Sequence, residues 1–262
     1  MNPIHWLPGY AAAAAIFWIA GLLVLRAGRS RTGLGLYFGG SLVLLAYAGV
    51  LWLQLGRPPL RTLGETRLWY AILLPAVSCI LTLRWKMIWP LLYGAAMSAL
   101  FLGINITRPD AFDRTLMPAL QSPWFVPHVI VYILAYAFLT ASAFGAARYF
   151  FAKPASDPLP ACDRAVWIGM SFLTMGLLFG ALWAKEAWGH YWTWDPKETW
   201  SFLTWAVYLG YIHLRLRHPS AGKPAAAFLL AAVFVLATCW FGVNYLPSAN
   251  MSIHTYSETP PR

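Results

Sequence analysis

Residues 183–205 read WAKEAWGHYWTWDPKETWSFLTW. Six of the chain's fifteen tryptophans fall here, at Trp183, Trp188, Trp192, Trp194, Trp200 and Trp205, interleaved with Lys185, Glu186, His190, Asp195, Lys197 and Glu198. Long apolar runs lie on both sides. Flat indoles alternating with fixed polar groups make a surface suited to a large planar ligand at a water boundary. An aromatic belt at a membrane interface accounts for one or two of the indoles, but not for Trp188, Trp192 and Trp194 so close together.

Working outward, the 262 residues are 60% hydrophobic and only 11% charged. With mean hydropathy +0.57, that is too little polar surface for a soluble globule. The expected fold class is all-α, a polytopic membrane helix bundle forming one domain over residues 1–262. Eight apolar runs approach the roughly 20 residues a helix needs to cross the hydrocarbon core. They lie at about 10–27, 34–55, 68–83, 87–106, 124–150, 165–184, 199–215 and 225–246. The tryptophan-rich loop, 183–200, joins the sixth run to the seventh.

Basic residues set the expected orientation. With both termini outside, eleven of the nineteen Lys and Arg fall in inner loops: Arg26, Arg29, Arg31, Arg84, Lys86, Arg148, Lys153, Arg164, Arg215, Arg217 and Lys223. The tryptophan loop then faces outward. No basic residue precedes the first apolar run, which reads as an uncleaved span. The net charge of +10 follows from this topology, and no basic cluster on a soluble domain points to nucleic acid. Cys79, Cys162 and Cys239 form no CxxC pair, so neither a disulfide framework nor a thiolate metal site is expected.

Between spans two and three, GRPPLRTLGETRLWYA is read as a polar turn in which Arg57, Arg61, Glu65 and Arg67 face water. Asp195-Pro196-Lys197-Glu198 has the form of a helix start, with a capping aspartate, proline at the first helical position and a glutamate able to return to the cap amide. His128 opens span five, His213 lies near the inner end of span seven, and His254 sits in the outer tail. Two neutral imidazoles meeting from opposite sides would fill both axial positions of a haem iron, with indoles packed on the porphyrin. The propionates would draw on Arg57, Arg61, Arg67, Arg108, Arg114, Lys185 and Lys197. A zinc site using Asp195 or Glu198 is the alternative, and it leaves the tryptophans unexplained.

The stretch WAKEAWGHYWTWDPKETWSFLTW resembles the WWD signature (WGxxWxWD) of the haem-handling protein superfamily of cytochrome c maturation. The continuation DPKETW is similar to the CcsA (ResC) branch. PALQSPWFVPHV resembles the segment leading to that family's first outer histidine, GVNYLPSANMSIHTY the segment holding the second, and YIHLR the place of its transmembrane histidine. In the loop similar to the family's PLxNLYE, Thr62 and Gly64 stand at the Asn and Tyr positions. The resemblance implies haem b as ligand and substrate, with His128 and His254 as axial ligands and His213 at an inner haem site. It places Trp188, Gly189, Trp192, Trp194 and Asp195 in the haem-binding loop. The implied activity is cytochrome c haem lyase chemistry, joining haem to CxxCH thiols of apocytochrome c with a ResB (CcsB) partner, in a bacterial inner (plasma) membrane with the active face periplasmic or extracytoplasmic. A haem permease without lyase activity and a b-type electron-transfer cytochrome are the competing readings.

Overall fold

The computed structural model describes residues 3–85, 88–112, 118–151 and 157–247. Their order is α1 (Leu7–Arg26), α2 (Ser30–Leu55), α3 (Leu63–Trp85), α4 (Trp89–Thr107), α5 (Phe125–Tyr149), α6 (Leu159–Trp188), α7 (Pro196–Arg217) and α8 (Gly222–Trp240). Short 3-10 turns flank several of them, and no strand occurs among the described residues. The expected all-helical bundle is therefore present.

Seven of the eight helices are long and apolar enough to cross a membrane, which makes the chain a polytopic membrane protein. The exception is α7, expected as the seventh span. It has the length, but Lys197 and Glu198 in its first turn and Arg215 and Arg217 in its last shorten the apolar stretch between them. The structure also extends α6 at both ends of the expected run, because a helix continues into polar surroundings where hydropathy no longer marks it.

Consecutive helices pack as hairpins, α1 on α2, α3 on α4, α5 on α6 and α7 on α8, and α5 additionally meets α3 and α8. The α5 surface explains this central place. Ala135, Ala137, Ala141, Ala143 and Ala146 are buried along it, and small side chains let neighbouring backbones approach where lipid offers no hydrophobic drive. Hydroxyls inside the bundle find partners there: Tyr70 OH lies 2.8 Å from Thr140 Oγ1 and 3.5 Å from Tyr93 OH, and Tyr37 OH donates to the Leu91 carbonyl at 2.6 Å. Cys79, Cys162 and Cys239 are all free and buried.

The loop into α3 corrects the reading of a water-facing turn. Glu65 is only 2% exposed. It takes a two-pronged pair from Arg57, Nη1 to Oε2 at 3.0 Å and Nη2 to Oε1 at 2.9 Å, and accepts the Arg61 and Thr62 amides at 2.7 and 3.2 Å. Thr62 Oγ1 in turn accepts the Glu65 amide at 3.2 Å, completing a reciprocal cap. Burial, reinforced by the charge of Arg57 and opposed by Glu65, pulls the Arg61 pKa below its ordinary value. At the other end of the bundle Arg215 grips Asp163, with Nη2 to Oδ2 at 2.8 Å, and Tyr211 OH donates to the same carboxylate at 2.6 Å.

Glu65→Ala strands a half-buried arginine and two backbone amides, so a loss of about 3–5 kcal/mol is expected. Thermal unfolding of the detergent-solubilised protein should show this as a marked drop in midpoint, whereas Arg108→Ala should leave the midpoint close to wild type.

Candidate functional site

The tryptophan loop is built by how α6 stops and α7 starts. Gly189 ends α6 in the left-handed region at φ 84°, its amide returning to the Lys185 carbonyl at 3.0 Å, and Lys185 Nζ donates to the Gly189 carbonyl at 2.8 Å. The start of α7 has the form read from its sequence. Asp195 caps it, accepting the Glu198 amide at 2.8 Å, while Glu198 Oε2 accepts the Asp195 amide at 3.3 Å and the Thr193 amide at 2.7 Å. Both carboxylates are buried in this work. Between the two ends Trp194 holds φ 60°, a conformation that costs a bulky residue energy and that the Glu198 clamp and the Thr199 Oγ1 bond to the Trp194 carbonyl sustain.

The indoles divide into two groups. Trp188 is half-buried and packs on Trp183 with ring centroids 4.9 Å apart. Trp192 and Trp194 meet edge to face at 5.7 Å, and Trp194, 61% exposed, leans on Phe202 of α7 at 5.6 Å. The Trp192 indole nitrogen is buried and meets no hydrogen-bond acceptor among the described residues.

His128 stands in the first turn of α5, half-buried, with its ring 5.4 Å from Trp183 and 4.7 Å from Tyr132. Its Nδ1 lies 2.9 Å from the Gly176 carbonyl of α6. A carbonyl only accepts, so Nδ1 carries the proton and Nε2 the lone pair that a metal ion needs. Trp183 fixes this corner. Its indole N–H donates to the Ala119 carbonyl at 2.8 Å and its ring meets Phe125 at 5.1 Å. Ser122 Oγ donates to Glu186 at 2.8 Å, tying the segment before α5 to the end of α6.

From His128 a file of rings runs into the bundle: Tyr132, then Tyr136 at 5.5 Å, then Trp240 at the end of α8 at 5.1 Å. Trp240 thus packs two turns along α5 from His128. His254 itself lies outside the described residues. His213 is at the far end of α7 from the tryptophan loop, exposed, with Nδ1 2.9 Å from its own helix's Leu209 carbonyl. It does not join the His128 corner. His190 is exposed in the loop.

Trp183 is the residue that the sequence reading left out of the site. Its contact with His128 spans 55 positions and comes from the antiparallel docking of α5 on α6, which no local spacing encodes. Of the cations proposed for propionates, Arg57 is committed to Glu65, Lys185 reaches the Gly189 carbonyl and sits 5.4 Å from the Tyr191 ring, and Arg114 lies outside the described residues. Among the described residues no three His, Cys, Asp or Glu converge to hold a metal ion. The capping duties of Asp195 and Glu198 likewise leave the zinc alternative without support. An apolar groove of about 450 Å³ lined by His5, Trp6, Gly9, Tyr10, Ala13 and Val43 shares none of the site's residues.

The fold and this corner define a multispanning helical membrane protein with its aromatic and polar chemistry gathered around one helix-to-helix loop. Residues 6–249 match the family described as Cytochrome C assembly protein, and the chain belongs to that family. It is similar to the cytochrome c biogenesis protein CcsA of Synechococcus sp. (strain CC9902), 31% identical over 261 residues, covering 82% of this chain and 83% of that one. The CcsA of Chlorella vulgaris is 31% identical over 275 residues, covering 87% and 86%. That of Synechococcus sp. (strain RCC307) is 28% identical over 273 residues, covering 88% and 86%. The resemblance carried by the tryptophan stretch holds at the level of the family.

Asp195→Ala removes the α7 cap and is expected to cost about 1 kcal/mol. Hydrogen exchange should report faster amide exchange at residues 193–199, with α5 unaffected.

Proposed function

We propose that this chain binds haem at the tryptophan-loop end, between His128 and His254, and presents it for thioether attachment to the CxxCH cysteines of apocytochrome c. It works with a ResB (CcsB) type partner in a bacterial inner membrane, with the tryptophan loop on the extracytoplasmic side. The observation that carries the reading is the His128 corner: a ring whose Nδ1 bond to a carbonyl gives Nε2 the ligating lone pair, set between Trp183 and Tyr132. The donor chemistry fits a haem iron, and the indoles offer the apolar faces a porphyrin requires.

When bound, haem supplies the vinyl carbons to which the apocytochrome thiols add. What the chain contributes is position. His128 would hold the haem, Trp188, Trp192 and Trp194 with Gly189 would offer it the loop's apolar surface, and Asp195 with Glu198 keeps that loop in one shape. His254 would supply the second imidazole. With His128 and His254 both holding the iron, oxygen would be kept from it, and an apocytochrome histidine could take the place of one of them. His213, exposed at the opposite end of α7, is suited to meet haem arriving from outside the bundle and to serve as the inner haem site.

The protein purified from haem-replete membranes is expected to show a six-coordinate b-type spectrum. His128→Ala and His254→Ala should each alter it, and added imidazole should restore it; His190→Ala should not. Unchanged spectra in both ligand variants would refute the assignment. Coexpression with a ResB-type partner and an apocytochrome should yield covalent haem with the intact chain and none with His128→Ala.

A further inference from the structure

The haem reading makes His128 a ligand but leaves open what aims its ring, and two glycines on the facing helix supply the answer. Gly176 and Gly180 are one turn apart on α6, the first offering its carbonyl to His128 Nδ1 at 2.9 Å. In a helix that carbonyl points toward the residue four places on, and every Cα–Cβ bond tilts back toward the N-terminus. A side chain at position 180 would therefore hood the Gly176 carbonyl. The distances bear this out, since an ideal Cβ on Gly180 would lie 2.8 Å from His128 Cε1 and 2.9 Å from Nδ1, closer than real Cβ contacts come. A Cβ on Gly176 would strike the ring of Tyr132, the residue one turn below His128 that packs against it.

We infer that Gly176 and Gly180 are positioning residues for haem ligation: together they form a backbone cradle that admits the His128 and Tyr132 rings and hands His128 a main-chain acceptor. The inference rests on the reading of His128 as an iron ligand. The cradle does two things. It fixes the tautomer, because the proton must sit on Nδ1 to meet the carbonyl. It also fixes the ring plane, because the imidazole is held between Tyr132, Trp183 and the bare backbone of α6. A hydrogen bond from the distal ring nitrogen to a carbonyl raises ligand basicity, and loss of such outer partners typically weakens metal binding on the order of 10- to 100-fold. Other close-packed helical glycines, such as Gly94 and Gly145, face Ser78 and Cys162 and not the His128 corner, while a Cβ at Gly49 or Gly103 would meet nothing within 4 Å.

The test uses the full-length protein from haem-replete membranes with four variants: Gly180→Ala, His128→Ala, the double His128→Ala/Gly180→Ala, and Gly103→Ala. Gly180→Ala is expected to lower haem retention by about 10- to 100-fold and to lose the six-coordinate spectrum, with both recovered by imidazole. Any haem it retains without imidazole should show a more positive midpoint potential than wild type. Gly103→Ala should match wild type in every readout. With His128 removed the clash is gone, so the double variant folds as His128→Ala does, and its spectrum with imidazole should be indistinguishable from that of the single variant. A Gly180→Ala protein with wild-type spectrum, retention and potential overturns the cradle, as does an equal loss of haem from adding Gly180→Ala in either background. If His128→Ala alone leaves the spectrum untouched, the haem reading beneath it fails whatever the glycine variants do.

Discussion

The close antiparallel docking of α5 on α6 is the constraint on which the site depends. Within a bilayer there is no gain from hiding apolar surface between helices, so contact depends on how nearly two backbones can approach. The alanines of α5 and the glycines of α6 provide that approach. It brings the first turn of α5 level with the last turns of α6 and sets His128 against a main-chain carbonyl and Trp183 at once. Ser122 and Glu186 secure the same hairpin at its tip.

The remaining helices keep polar groups satisfied around this pair. Tyr70 reaches Thr140 of α5 and Tyr93 of α4, joining three helices through hydroxyls. Ion pairs stand at the bundle's two ends, Arg57 with Glu65 at the entry to α3 and Arg215 with Asp163 near the end of α7. Each is placed where a helix terminus meets a loop, and each carboxylate also accepts donors from neighbouring groups. The aromatic file from His128 through Tyr132 and Tyr136 to Trp240 connects the His128 corner to α8 without passing through the loop.

What could be read from the sequence was whatever depends on neighbours along the chain. Hydropathy marked the helices, and Asp195-Pro196-Lys197-Glu198 announced the cap of α7, because that device is complete within four residues. The failures have a common cause. Glu65 was placed in water because its local composition is polar, yet its burial is balanced by Arg57 eight positions away and by loop amides whose direction composition does not specify. Trp183 was counted among the tryptophans but not in the site, since only the α5–α6 register brings it to His128. Within the loop Trp188 packs on Trp183 while Trp194 packs on Trp192 and Phe202, contacts that spacing along the chain does not specify. α7 is less apolar than the other seven helices because Thr199, Ser201, Thr204 and His213 lie within it and charged residues stand at both its ends.

The burial of Cys79, Cys162 and Cys239 has a chemical corollary. Sequestered among helices, the three sulfhydryls of this chain are shielded from mixed-disulfide exchange with other polypeptides and from oxidants and electrophiles in the surrounding water.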